Sequence, residues 1–257
     1  MQLNWGKEVL HYTDEGTGDA VFFIHGLGGN ANNWLHQRRA LALHHRVIAL
    51  DLPGHGRSSG MGVAFENYWA AAAAVLDHVG VECVSAVGLA MGARVGIALA
   101  GRRPDLARRL TLVNAYLTLP PLDHVRRVEL YDLLRQPGGD REWARSLLEG
   151  MGVTGHAGIV RGFMASLAQI DPAHVNAVFH QVNRAEQEEG LRELDIPVQI
   201  MVGERDHLVP ASCTEELLAL ARHPRLHRFP CSGHLPYLEE PSSFNLVLEE
   251  FLHDGTG

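Results

Sequence analysis

The chain has 257 residues, 46% of them hydrophobic and 20% charged, which suits one α/β domain with a sizeable core and argues against a disordered chain. A formal net charge of −8, without a basic cluster interleaved with aromatics, argues against a nucleic-acid binder but leaves small anionic substrates open. No apolar run approaches the roughly 18 residues of a membrane span. The opening MQLNWGKEVLHYTDEG lacks a basic segment leading into an apolar one, so no membrane association and a cytoplasmic location are expected.

In chain order, LNW and EVLHYTDEG read as an antiparallel hairpin at one sheet edge. Val21–His25 is a buried strand, followed by a helix over Asn32–Leu43 with Asn30 or Asn32 as N-cap. Arg46–Leu50 is a second buried strand, and DLPGHGRSSG after it is rich in turn residues. A helix over Glu66–Val79 ends at Gly80, a strand over Cys83–Gly88 enters a helix over Gly92–Gly101, and Arg109–Asn114 is the next strand. Pro197–Gly203 and Leu226–Phe229 are later strands, and Ser212–Ala221 and Pro241–Leu252 later helices.

This alternation predicts an α/β fold, a mainly parallel sheet with helices on both faces. About eighty residues between Asn114 and Pro197 contain no strand pattern, only helical ones: Asp123–Arg135, Arg141–Gly150, Ala157–Gln169 and Pro172–Gln181. Such a length exceeds a simple crossover, whose whole βαβ unit is roughly 30 residues. The expected organisation is therefore a core of residues 1–117 and 196–257, with 118–195 as a helical lid at the carboxyl ends of the strands.

Four segments stand where strands end: HGLGG at His25–Gly29, GLAMG at Gly88–Gly92, GERDHLVP at Gly203–Pro210 and SGHLPYLEEP at Ser232–Pro241. A strand–turn–helix at 88–92 holds residue 90 at the top of the sheet in a strained backbone, against the amino end of the next helix. The N–H groups of Met91 and of Leu27 suit an oxyanion site there. His234 suits proton transfer near neutral pH, and Asp206 is the carboxylate to orient it.

Together with DLPGHGRSS and VGLAMGARVGIALA, these motifs resemble the α/β-hydrolase superfamily over essentially the whole chain and in family order. The resemblance implies an α/β-hydrolase fold with a helical lid. It also implies a Ser-His-Asp hydrolase of a small carboxylic ester, thioester or lactone, acting without metal or cofactor on a small-molecule acyl substrate. Small carboxylesterases, esterases of pimeloyl thioester methyl esters and enol-lactonases are comparably similar. The MGAR sequence also resembles the menaquinone-pathway lyase of this fold, and carbon–carbon bond hydrolases belong to the same comparison.

The family pattern is G-x-S-x-G, and here it reads Gly88-Leu89-Ala90-Met91-Gly92. Alanine stands at the nucleophile position. Three readings follow: a Ser→Ala replacement that blocks acylation; a natural alanine, with His234 and Asp206 doing base chemistry without a covalent step; or a ligand receptor on a hydrolase scaffold.

Other residues read as structural. Asp51 and His55 shape a turn, and Ser58 and Ser59 are poor substitutes for the nucleophile because nothing places them at the helix N-terminus. Asn114 stands where some relatives place the acid but carries no charge, His207 is a surface neighbour, and Glu204 is set aside for Asp206 on the family pattern. Tyr116, Leu208 and Leu235 are candidate pocket residues. Trp143, Phe163, Met164 and Phe179 are either lid core or pocket lining, and Arg126, Arg127, Arg135, Arg141, Arg145 and Arg161 read as a solvated face. Cys83, Cys213 and Cys231, an odd count without C-x-x-C spacing, read as buried or partly buried free thiols. The 16 histidines include no metal-ligand spacing, and His44 and His45 diverge on a helix end.

Overall fold

The computed structural model describes residues 1–254; the last three residues of the expected core segment 196–257 lie outside them. The chain opens with β1 (Gln2–Trp5), β2 (Glu8–Glu15) and β3 (Ala20–Ile24). A 3-10 turn over Ala31–Trp34 leads into α1 (Leu35–Leu41) and β4 (Arg46–Leu50). Then come α2 (Tyr68–His78), β5 (Val84–Leu89), α3 (Met91–Arg102) and β6 (Ala107–Val113). Five helices follow without a strand: α4 (Pro121–Asp132), α5 (Gly139–Gly150), α6 (Ala157–Leu167), α7 (Pro172–Val182) and α8 (Glu188–Glu193). The chain then returns to the sheet through β7 (Val198–Gly203), α9 (Ala211–Leu220), β8 (Pro224–Phe229), α10 (Pro236–Glu239) and α11 (Pro241–His253).

The eight strands form one sheet in the order β1-β2-β4-β3-β5-β6-β7-β8. The opening hairpin is antiparallel and β2 pairs antiparallel with β4, while every pair from β4 to β8 is parallel. β3, β5 and β7 are buried along their whole length, as strands covered on both faces must be. β8 is exposed or half-buried except at Phe229, its last residue, and begins at Pro224, which an edge strand tolerates because one side of its backbone needs no partner.

The expected elements differ from the observed ones mainly at their ends. The first helix is split: Asn30 caps a 3-10 turn reciprocally with Asn33, and the α-helix starts only at Leu35. Another 3-10 turn, Phe65–Asn67, replaces the first turn expected of α2. Of the cysteines, Cys213 alone is buried; Cys83 and Cys231 are exposed, which corrects the expectation of burial for both.

Trp34 is fully buried and packs between Phe23 of β3 and Tyr237 of α10, with ring centroids 4.9 and 4.3 Å away. The helical segment has its own aromatic centre. Tyr131 of α4 stacks on Phe179 of α7 at 3.9 Å, and Trp143 of α5 meets Tyr131 edge-on at 5.5 Å.

Candidate active site

The turn between β5 and α3 places residue 90. Ala90 has φ 46° and ψ −109°, outside the ordinary regions for an L residue. Its N–H donates to the carbonyl of Val113, and its own carbonyl accepts from the N–H of Ala93 as α3 begins. Glycine is required on either side: a Cβ at Gly88 would stand 2.4 Å from the nitrogen of Ala93, and one at Gly92 would stand 2.3 Å from the carbonyl oxygen of Ile24. Those contacts let α3 start directly against β3 and β5.

His234 and Asp206 come from loops after β8 and β7. His234 Nδ1 lies 2.7 Å from Asp206 Oδ2, and the two side chains are 7% and 1% exposed, so the hydrogen bond is shielded from water. Asp206 Oδ1 accepts from the N–H of Leu208 at 2.7 Å, which fixes the plane of the carboxylate. With its Nδ1–H donated to the carboxylate, the ring keeps a lone pair on Nε2.

The loop carrying His234 is held from several sides. The backbone N–H of His234 donates to the carbonyl of Met151, and both Gly233 and Leu235 donate their N–H groups to the Glu239 carboxylate. The Asn114 side chain donates to the carbonyl of Gly233 at 3.1 Å and accepts from the N–H of Gly203 at 2.9 Å. Asn114 therefore links β7 to the histidine loop, a part for which an uncharged amide is sufficient.

His25 organises the loop after β3. Its Nε2 accepts from the N–H of Leu52, so its Nδ1 donates to the Gly26 carbonyl, 2.7 Å away. Asp51 receives the N–H groups of Ala31 and Arg57 on its two oxygens. Ser58 receives the N–H of His11 and donates to the Asp51 carbonyl, and Ser59 bonds Glu8. Asp51 thus serves the loop's shape, as expected of it, and both serines do the same.

A cavity of about 690 Å³ lies over these strand ends. Ala90, Met91, Leu27 and His234 line it, and so do Tyr116, Leu208 and Leu235. Met91 opens α3, so its N–H has no acceptor within the helix. The helical segment supplies much of the wall, through Tyr131 of α4, Leu147 of α5, Phe163 of α6 and Phe179 of α7. Trp143 is instead buried behind this wall, and Met164 is 44% exposed.

Two arginines were not legible as site residues. Arg127, expected on a solvated face, lines the cavity; Arg126, Arg135, Arg141, Arg145 and Arg161 are exposed as expected. Arg94 of α3, four residues after the elbow alanine, is 1% exposed. Its guanidinium donates to the carbonyls of Leu117 and Ala185 and to Gln187 Oε1, tying both ends of the helical segment to α3. No short-range pattern marks a residue whose acceptors are that distant in sequence.

The model of the alpha/beta hydrolase family matches residues 21–245, a stretch that contains Ala90, Asp206 and His234. The chain belongs to that family. It is 28% identical over 261 residues to pyrrolizixenacetamide deacetylase of Xenorhabdus hominickii, covering 96% of each chain. It is 30% identical over 241 residues to the putative carbamate hydrolase RutD of Klebsiella pneumoniae, covering 87% of each. In fold it is similar to the enol-lactonase of Burkholderia xenovorans, with a TM-score of 0.88 at 20% identity over 99% of this chain and 100% of that one. Within the alpha/beta hydrolase family the eight-stranded, mainly parallel sheet is thus the expected scaffold. Among the described residues, no helix is long and apolar enough to cross a membrane.

Proposed function

We propose that this chain has the site of a serine-type hydrolase for a small carboxylic ester, thioester or lactone, with alanine in place of the nucleophile at position 90. The observation that carries this is the elbow. Ala90 keeps a φ of 46°, a strained conformation that alanine has no reason to hold for its own sake, beside a buried His234–Asp206 pair. Curated relatives named as a deacetylase and a carbamate hydrolase support acyl chemistry.

With serine at 90, its Oγ attacks the acyl carbonyl while His234 Nε2 takes the proton and Asp206 steadies the imidazolium. The N–H groups of Leu27 and Met91 receive the oxyanion. His234 then protonates the leaving group and activates the water that releases the acid. Residues 118–195 serve as the lid, and Tyr116, Leu208 and Leu235 contact the substrate.

In the chain as it stands, no atom of residue 90 can attack. What remains is the oxyanion site and a base, and the intact base pair favours a second reading: His234 activating water or removing a substrate proton without a covalent intermediate.

Assaying the chain and its Ala90→Ser variant on a panel of esters, thioesters and lactones tests this. The serine form is expected to gain roughly 10⁴- to 10⁶-fold in kcat, the range lost when a triad member is removed. Turnover that is present with Ala90, lost in His234→Ala and not raised by serine supports the second reading. A serine codon at position 90 of the natural gene supports the first, and binding without turnover in both forms contradicts both.

A further inference from the structure

We propose that the substrate carries a second, ionised carboxylate remote from the reacting carbonyl, and that Arg127 of α4 recognises it. The inference rests on the reading of the cavity as an acyl-substrate site and deepens it.

Arg127 is half-buried in the cavity wall. Its Nη2 donates to the carbonyl of Leu208 at 2.7 Å, the residue whose N–H holds the Asp206 carboxylate. The guanidinium is thereby pinned to the acid-bearing loop by one of its five N–H groups. Among the described residues no carboxylate pairs with it: its one hydrogen bond is to that carbonyl. Among the described residues Asp51 is the single acidic side chain lining the cavity, and both its oxygens are occupied by backbone N–H groups.

Leu147, Phe163 and Phe179 line the same cavity and bring it no charge. Arg57 and His36 also line the cavity, but Arg57 is exposed, whereas Arg127 is set into the wall.

Two phenols share Arg127's surroundings. Burial raises the pKa of both Tyr116 and Tyr131, and the Arg127 guanidinium is the largest opposing influence on each, so both hydroxyls lie within its field and remain neutral donors. Both residues line the cavity. A fixed guanidinium with neutral hydroxyls nearby and no acidic partner is a receptor for a carboxylate, because it supplies charge-assisted donors and no competing acceptor charge.

The test uses the monomethyl esters of succinate, glutarate and adipate, each paired with its dimethyl ester. Binding to the chain as it stands is followed by calorimetry, and turnover is measured in Ala90→Ser. The monoanionic ester of the fitting length is expected to bind more tightly than its neutral partner and to show the lower KM. Arg127→Gln should reduce that preference by roughly ten- to hundredfold, the range for a lost charge-assisted hydrogen bond. Arg127→Lys should retain part of it, and Arg126→Gln, which changes the net charge equally from an exposed position, should leave it intact.

Equal binding of monoester and diester at every length would overturn the proposal. So would an Arg127→Gln variant that loses affinity equally for both, since that is the result for a residue that only braces the Leu208 loop. If Ala90→Ser hydrolyses nothing while the Arg127-dependent preference in binding persists, the hydrolase reading fails and the carboxylate site stands.

Discussion

Ala90 at φ 46° and Asn114 at φ 40° are the two non-glycine residues with positive φ among those described, and they follow neighbouring strands, β5 and β6. The first was legible in sequence, because the glycines around it specify an elbow whatever residue occupies its apex. The second was not. In sequence Asn114 is only an uncharged residue where an acid could stand, whereas its partners Gly203 and Gly233 lie 89 and 119 residues away. Asn114→Ala removes both bonds and leaves a buried N–H and a buried carbonyl unmatched, so urea unfolding is expected to show a loss of roughly 2–4 kcal/mol. Asn114→Gly loses the same bonds but relieves the left-handed backbone, and should be the less destabilised by about 1 kcal/mol. Equal losses for the two variants would mean that the strained φ contributes nothing.

Among the elements, those with a strong period were foreseen, and those governed by local capping or by partners elsewhere were not. α8 (Glu188–Glu193) has the sequence EEGLRE, with a central glycine and a single buried residue, Leu191, so no hydrophobic period announces it. It forms where the chain leaves the helical segment, next to the residues held by Arg94. Arg94 links the segment's entry at Leu117 and exit at Ala185 to α3. Burial holds its pKa below the usual guanidinium range, while its hydrogen bonds go to carbonyl oxygens and the more distant Glu188 and Glu216 oppose the shift. Arg94→Met keeps the bulk but strands two buried carbonyls, and roughly 2–4 kcal/mol of stability is expected to be lost. Limited proteolysis should then cut faster near residues 117 and 185; unchanged cleavage there would show that the two junctions are held by packing alone.

For the molecule as a whole, the helical segment meets the core partly through histidines. His55, in the loop after β4, lies between His25 and His174 of α7, with ring centroids 5.1 and 5.4 Å away. Burial is the main cause that lowers the pKa of all three, and His55, facing His25 and His174, falls furthest below the ordinary value. They are therefore neutral in the fold, and below about pH 6.5 the unfolded chain binds more protons than the folded one. The stability they confer is complete above that pH and is lost as pH falls through it. The melting temperature is expected to drop between pH 7 and 5, and His55→Gln should flatten part of that slope; a Tm independent of pH over that interval would contradict neutral burial. The sequence by itself determined the alternation of strands and helices and the motifs at the strand ends that carry Ala90, Asp206 and His234, because each depends on local periodicity or on a short run of residues. Only the tertiary structure decided that Asn114 braces the histidine loop, that Arg94 holds both ends of the helical segment and that Arg127 enters the cavity. Those assignments depend on which distant backbone groups a side chain reaches, and no spacing along the chain encodes that.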